Sequence, residues 1–169
     1  MKTSKFFSIL LLALLPLVAC KKKVTPTQPD PEPIEEVDTS QTSTNNFSKL
    51  IIKISGMKNQ NGKMNIALYN KSEGFNDPSK VFKEFFLLID EDPMIVSIDS
   101  LPAGEYAFGI FHDENDNQVL DQNFLGIPKE GFAFSNNAMG SFGPPTYSQA
   151  KFMIPVKSQV TQLIDLKFF

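Results

Sequence analysis

From Phe47 onward, apolar and polar positions alternate with a period of two. In "LIIKIS", Leu50, Ile52 and Ile54 share one face, and in "KMNIALYN", after the Asn61-Gly62 turn signal, so do Met64, Ile66 and Leu68. Successive strand side chains point to opposite faces, so the pattern predicts two half-buried strands joined as a hairpin with a long turn. The same reading places strands at Phe85–Ile89, Met94–Ile98, Glu105–His112, Ala150–Val156 and Val160–Phe168, the last with Val160, Ile164, Leu166 and Phe168 on one side. Pro78–Lys83 has room for one helical turn, and no stretch carries the periodicity of a longer amphipathic helix. About seven short strands separated by turn residues predict an all-β fold, an antiparallel β-sandwich over residues 47–169.

Upstream the alternation disappears. "MKTSKFFSILLLALLPLVA" (1–19) has a basic start, an apolar run from Phe6 to Leu15 and small or apolar residues before Cys20, the pattern of a secretory signal too short for a stable membrane span. Its ending Leu17-Val18-Ala19-Cys20 resembles the bacterial lipobox, in which the Cys20 thiol receives a diacylglycerol. The other reading is an ordinary signal peptide with an incidental cysteine. Cys20 is the only cysteine and sits at the expected cut, which favours acylation. Acyl burial at about 0.8 kcal/mol per CH2 would make such an anchor essentially permanent. After Cys20, "KKKVTPTQPDPEPIEEVDTSQTSTNN" has four prolines and few aliphatics, so residues 20–46 are expected to form an acylated, disordered tether reaching roughly 30 Å.

Charge removes one class of partner. The chain has 16 lysines, no arginine and 19 acidic residues, with no basic stripe outside the leader, so nucleic acid is not expected. The expected partners are the membrane, through the anchor, and an envelope protein or glycan. Lys21 after Cys20 is unlike the aspartate-type inner-membrane retention signal, which favours the outer membrane. Sixteen phenylalanines and no tryptophan supply the bulk, with Phe82, Phe85, Phe86, Phe108, Phe111, Phe152 and Phe168 at or near alternating positions, as core packing requires. In "LPAGEYAFGIF", Pro102 and Gly104 suit a turn, and Tyr106, Phe108 and Ile110 form one strand face. Such entries are similar to those of transthyretin-like domains, and the expected sandwich is immunoglobulin-like or transthyretin-like.

The candidate chemistry lies in "HDENDNQVLDQNFLGIPKEGFAFSNNAMGSFGPP". Asp113, Asn115, Asn117 and Asp121 stand at positions 1, 3, 5 and 9 of a loop, with Val119 offering a carbonyl at 7, as in calcium loops whose alternate oxygens converge on one hard cation. Against calcium, position 6 is Gln118 rather than glycine and position 12 is Phe124, although Glu130 could substitute. The loop reads equally as a solvated Asx-rich turn. His112 has no second histidine or cysteine to share a zinc ion and is read as a hydrogen-bonded structural residue. Without a nucleophile elbow, the chain is read as non-catalytic. The alternative is an extracellular hydrolase, or hydrolase accessory, using carboxylates near His112 on glycan or peptide. A ligand site would lie beside His112, Glu130, Ser135 and Asn136. Gln122–Thr146 is expected to self-pack through Phe124, Phe132, Phe134 and Phe142, with Pro144 and Pro145 open to either isomer.

The Leu-Pro-x-Gly-x-Tyr strand, His-Asp-x-Asn-x-Asn loop, Gly-Ile-Pro-x-Glu, Ser-Asn-Asn and Phe-Gly-Pro-Pro together resemble the bacterial domain of unknown function 2141, over roughly Leu50–Phe168. The resemblance implies a secreted or envelope-associated protein and no established activity. Typical members have glycine where this chain has Asp116 and Gln118, and glutamine enters the left-handed region less readily than aspartate.

Overall fold

The computed structural model describes residues 46–169, so the expected signal segment, Cys20 and nearly all of the expected tether lie outside the described residues. Eight strands form: β1 (Ser48–Ser55), β2 (Lys63–Tyr69), β3 (Lys83–Leu88), β4 (Met94–Leu101), β5 (Gly104–Asp113), β6 (Phe132–Phe134), β7 (Phe152–Ile154) and β8 (Gln159–Asp165). One sheet has the order β4-β1-β8; the other has the order β3-β2-β5-β6, with β7 also paired to β5.

The all-β sandwich stands, with two corrections to its connectivity. β1 and β2 are not a hairpin: β1 pairs with β4 and β8, whereas β2 pairs with β3 and β5, so the connection crosses from one sheet to the other. The sandwich is not wholly antiparallel, because β8 lies parallel to β1, with Leu50 opposite Val160 and Ile54 opposite Ile164. Both faces of the interior need apolar cover, and placing the first two amphipathic strands in opposite sheets turns their buried faces toward each other. Leu50, Ile52 and Ile54 accordingly meet Met64, Ile66, Leu68, Phe108 and Ile110 in one buried cluster. Each such side chain contributes about 1.5–3 kcal/mol by leaving water.

The expected strand Ala150–Val156 shrinks to β7, because Tyr147–Ala150 forms a helical turn, α1, held by reciprocal Thr146–Gln149 capping bonds. The helical turn expected near Pro78 is a three-residue 3-10 turn, Pro78–Lys80. Not every expected core phenylalanine is inside. Phe108 and Phe152 are buried, Phe82 is exposed, and Phe86 and Phe111 are half-buried, flanking Asn65 on the outer face of the five-stranded sheet. The expected cluster of four phenylalanines within 122–146 does not form, although Phe132 and Phe134 touch each other with ring centroids 6.2 Å apart. Phe132 and Phe134 enter β6, while Phe124 and Phe142 stand fully in solvent. Gly109 makes room for this arrangement, since a Cβ there would lie 3.3 Å from the Phe134 ring. The only cis peptide among the described residues is Asp92-Pro93, so Pro144 and Pro145 are trans.

Candidate functional site

β5 carries the two candidates that open the acidic loop. His112 continues the inward face of Phe108 and Ile110, and Asp113 is the last strand residue; both are completely buried. They are covered from the β1–β2 connection. The Asn61 carbonyl accepts from His112 Nε2 at 2.7 Å, and this fixes the proton on Nε2. Gly62, at φ +69°, lies so close to Asp113 that a Cβ would fall 1.9 Å from its carbonyl oxygen. The Asn61-Gly62 pair therefore acts as the cover of the strand end rather than as a hairpin turn. His112 Nδ1 is left buried without a hydrogen-bond partner.

The loop beyond is tied by carboxylates holding backbone N–H groups. Asp113 Oδ1 accepts from Asn117 N at 3.0 Å, and its Oδ2 accepts from Gln118 N at 2.8 Å. Asn115 Oδ1 accepts from Asn117 N, and Asn117 Oδ1 from Val119 N, at 3.1 and 2.8 Å. Glu130, nearly buried, closes the loop base: Oε1 accepts from Glu114 N at 3.0 Å and Oε2 from Asp121 N at 2.9 Å. Asp121 in turn accepts from the side-chain amides of Asn115 and Asn117 at 2.8 and 3.2 Å. The sequence shows no lysine within the loop, but β2 supplies one, with Lys63 Nζ 2.8 Å from Asp116.

Asp116 and Gln118 both adopt the left-handed backbone, at φ 58° and 64°, despite the absent glycines. The Lys63 grip on Asp116 and the Asp113 bond to Gln118 N hold these conformations against their steric cost. Five of the candidate residues, Asp113, Asn115, Asn117, Asp121 and Glu130, thus share one hydrogen-bonded loop, and Val119 joins through its N–H while its side chain faces solvent. Among the described residues, no three His, Cys, Asp or Glu side chains form a metal-holding group. A cation here would draw on amide and carbonyl oxygens as well as Asp113 and Asp121.

Ser135 and Asn136 sit elsewhere. Ser135 Oγ, fully buried, accepts from Phe108 N at 3.0 Å and donates to Ala150 O at 2.7 Å. Phe108 is four strand residues from His112, roughly 13 Å along β5. Asn136 Nδ2 donates to the carbonyls of Ala150 and Lys151. Sequence reasoning did not single out the next residue. Asn137 Nδ2 donates to Leu163 O at 2.9 Å and its Oδ1 accepts from Asp165 N at 3.0 Å, so its side chain imitates a strand along the free edge of β8. Ser135-Asn136-Asn137 is therefore a clasp between the two sheets, with Asn136 and Asn137 both left-handed. The triplet was visible as a motif, but its bonding partners are far away in sequence.

The perturbed titrations lie away from the acidic loop. Burial pushes the hydroxyls of Tyr69, Tyr106 and Tyr147 upward, and the Tyr106 hydroxyl donates to Pro102 O at 2.9 Å. The Lys49 ammonium, 3.0 Å away, holds exposed Asp99 below the usual carboxylate range. Two shallow grooves of about 420 Å³ each also avoid the loop, one including Ser48, Lys49 and Asp99, the other Lys71, Lys80 and Phe82.

The geometry defines a small β-sandwich whose polar motif residues tie backbone to backbone at a sheet end and between sheets. Residues 52–162 match the family described as uncharacterized protein conserved in bacteria (DUF2141), and the chain belongs to that family. No curated protein and no solved structure was found to match it.

Proposed function

We propose that this is a lipid-anchored, non-catalytic structural or binding module of the bacterial cell envelope. The observation that carries the reading is how the buried polar side chains are used. Both oxygens of Asp113 and of Glu130 hold backbone N–H groups, and Ser135 Oγ bridges Phe108 and Ala150. A buried carboxylate with both oxygens engaged by structural amides presents neither oxygen to a substrate proton, so its geometry suits a scaffold rather than a general base. The lipobox-like ending at Cys20 supports the anchor.

Two measurements test the reading. Cys20→Ser should move the protein from the membrane to the soluble fraction and abolish labelling by an alkyne fatty acid. Unchanged partitioning and labelling would end the anchor proposal. Asp113→Asn should lower the melting temperature in proportion to the lost amide bonds. A hydrolase would instead lose turnover with its melting temperature intact.

The left-handed backbone at Asp116 and Gln118 favours a second role for the same loop, weak calcium binding. Asp113, Asn115, Asn117, the Val119 carbonyl and Asp121 are the ligands this role assigns. With two carboxylates the affinity belongs in the range of about 10⁻⁴–10⁻³ M. At about 10 mM calcium the native state would gain about 1.4–2.7 kcal/mol, read as a rise of several degrees in Tm over a chelator control. Identical melts would remove calcium from the account.

A further inference from the structure

The Asn61-Gly62 pair that covers the end of β5 is also the one place in the chain where an asparagine precedes a glycine. Chemistry between two such residues needs a free side-chain amide, a free neighbouring N–H and room to close a five-membered ring. Glycine supplies the room because it has no Cβ. Asn61 is exposed, and among the described residues nothing hydrogen-bonds its side chain or the Gly62 N–H. Asn59, Asn115, Asn117, Asn123, Asn136 and Asn137, by contrast, all commit their side chains to hydrogen bonds. The third feature is the buried donor behind the pair. When Gly62 N loses its proton, the negative charge is shared with the Asn61 carbonyl oxygen, and His112 Nε2–H already donates to that oxygen at 2.7 Å. A donor held in place at the atom where charge develops favours the ionised amide.

We propose that Asn61 is a site of spontaneous deamidation whose product unlatches the acidic-loop end of the sandwich. Gly62 N attacks Asn61 Cγ. The new N–C bond closes a cyclic imide, the Cγ–Nδ2 bond breaks, and the Nδ2 group leaves as ammonia with the proton given up by Gly62 N. Water then opens the imide at either carbonyl, to aspartate or to isoaspartate, and no other reactant is required. The isoaspartate form carries the main chain through Cβ and is longer by a methylene. Gly62 lies so tightly against Asp113 that even an added Cβ would fall 1.9 Å from its carbonyl oxygen, so the extra length cannot be absorbed at the glycine. The cover must lift, and His112, whose Nδ1 has no partner, then loses its Nε2 bond as well. A fully buried imidazole without any hydrogen bond is costly, so water enters at the strand end. The Asp113 carboxylate that holds Asn117 N and Gln118 N stands at that end and loosens with it. The proposal needs neither the anchor nor a cation.

The test ages the purified full-length chain at neutral and at mildly alkaline pH, folded or unfolded in urea, and locates isoaspartate by peptide mass spectrometry with isoaspartyl methyltransferase labelling. The expected result is conversion at Asn61 ahead of every other asparagine in the folded chain, at a rate no lower than in urea and rising with pH. The aged fraction should melt several degrees below fresh protein, with faster amide exchange at Asn117 and Gln118. Asn61→Gln keeps the amide and the backbone carbonyl but would have to close a larger ring, so it should neither convert nor lose stability on ageing. An intact Asn61 in the folded chain, conversion slower there than in urea, an aged fraction that melts with fresh protein, or an Asn61→Gln chain that loses stability equally would each overturn the proposal.

Discussion

Replacing Glu130 with glutamine isolates what the buried carboxylate does for the acidic loop. The substitution preserves volume, so no cavity term enters. It converts two acceptor oxygens into one acceptor and one NH2 group, and the NH2 must face either Glu114 N or Asp121 N, donor against donor. A hydrogen bond to a charged acceptor is worth about 1.5–3 kcal/mol and a neutral one about 0.5–1.5. Losing one outright and weakening the other gives about 2–4 kcal/mol of destabilisation. Relief of repulsion opposes this, because Glu114, Asp116 and Asp121 are nearby in the loop. Glu130 is buried but these neighbours reach solvent and Asp116 is already paired with Lys63, so the repulsion stays near the water-like limit of about 1 kcal/mol per close pair and falls with salt. The bonds should win. Urea unfolding of wild type and Glu130→Gln at two salt concentrations measures the difference, with equal slopes confirming that the same surface is exposed. A midpoint within about 0.5 kcal/mol of wild type, or a gain in stability, would show that the carboxylate is not the clip described here.

Gly62→Ala should cost at least about 2–4 kcal/mol by thermal melts, since the added Cβ meets the Asp113 carbonyl at 1.9 Å and φ is +69°; a near-neutral melt would refute the cover role. Ser135→Ala should cost about 1–3 kcal/mol in denaturant titrations, because Phe108 N loses its partner while Ala150 O keeps Asn136. Asn137→Ala should bare the β8 edge, cost about 1–2 kcal/mol, and increase light scattering on heating; Asn137→Asp, which keeps only the acceptor, should fall between. The upward shift of the Tyr106 hydroxyl means that the native state holds its proton more tightly than the unfolded chain. That contribution is complete below the ordinary tyrosine pKa and vanishes as pH rises through the native value. Melting temperature should therefore fall above about pH 10, and Tyr106→Phe should flatten that fall.

The strands themselves were legible because their signal is local. The inward faces of Leu50–Ile54, Met64–Leu68 and Tyr106–His112 follow from a period of two that needs no knowledge of the partner. β6 was not legible as a strand, since three residues inside a Gly- and Pro-punctuated segment give no usable period. The acidic loop could be read as a set of inward-turning oxygens. Glu130 was legible as a residue that could complete the loop, but that it would do so by holding the Glu114 and Asp121 amides, and that Lys63 would reach the loop from another strand, was not, because each depends on contacts across the fold.

Within the sequence alone, the period of two settled the inward faces of β1, β2 and β5, and the motif residues marked Leu101–Tyr106 and His112–Pro145 as the segments the family shares. The tertiary structure alone decided that β1 and β2 belong to opposite sheets and that β8 returns parallel beside β1. It alone also decided that the motif's polar side chains hold backbone amides and carbonyls. The physical reason is the range of the interactions. Alternation is set by backbone geometry one residue at a time, whereas sheet membership and the partner of a buried carboxylate are set by burying both inner faces together and leaving few interior polar groups unpaired.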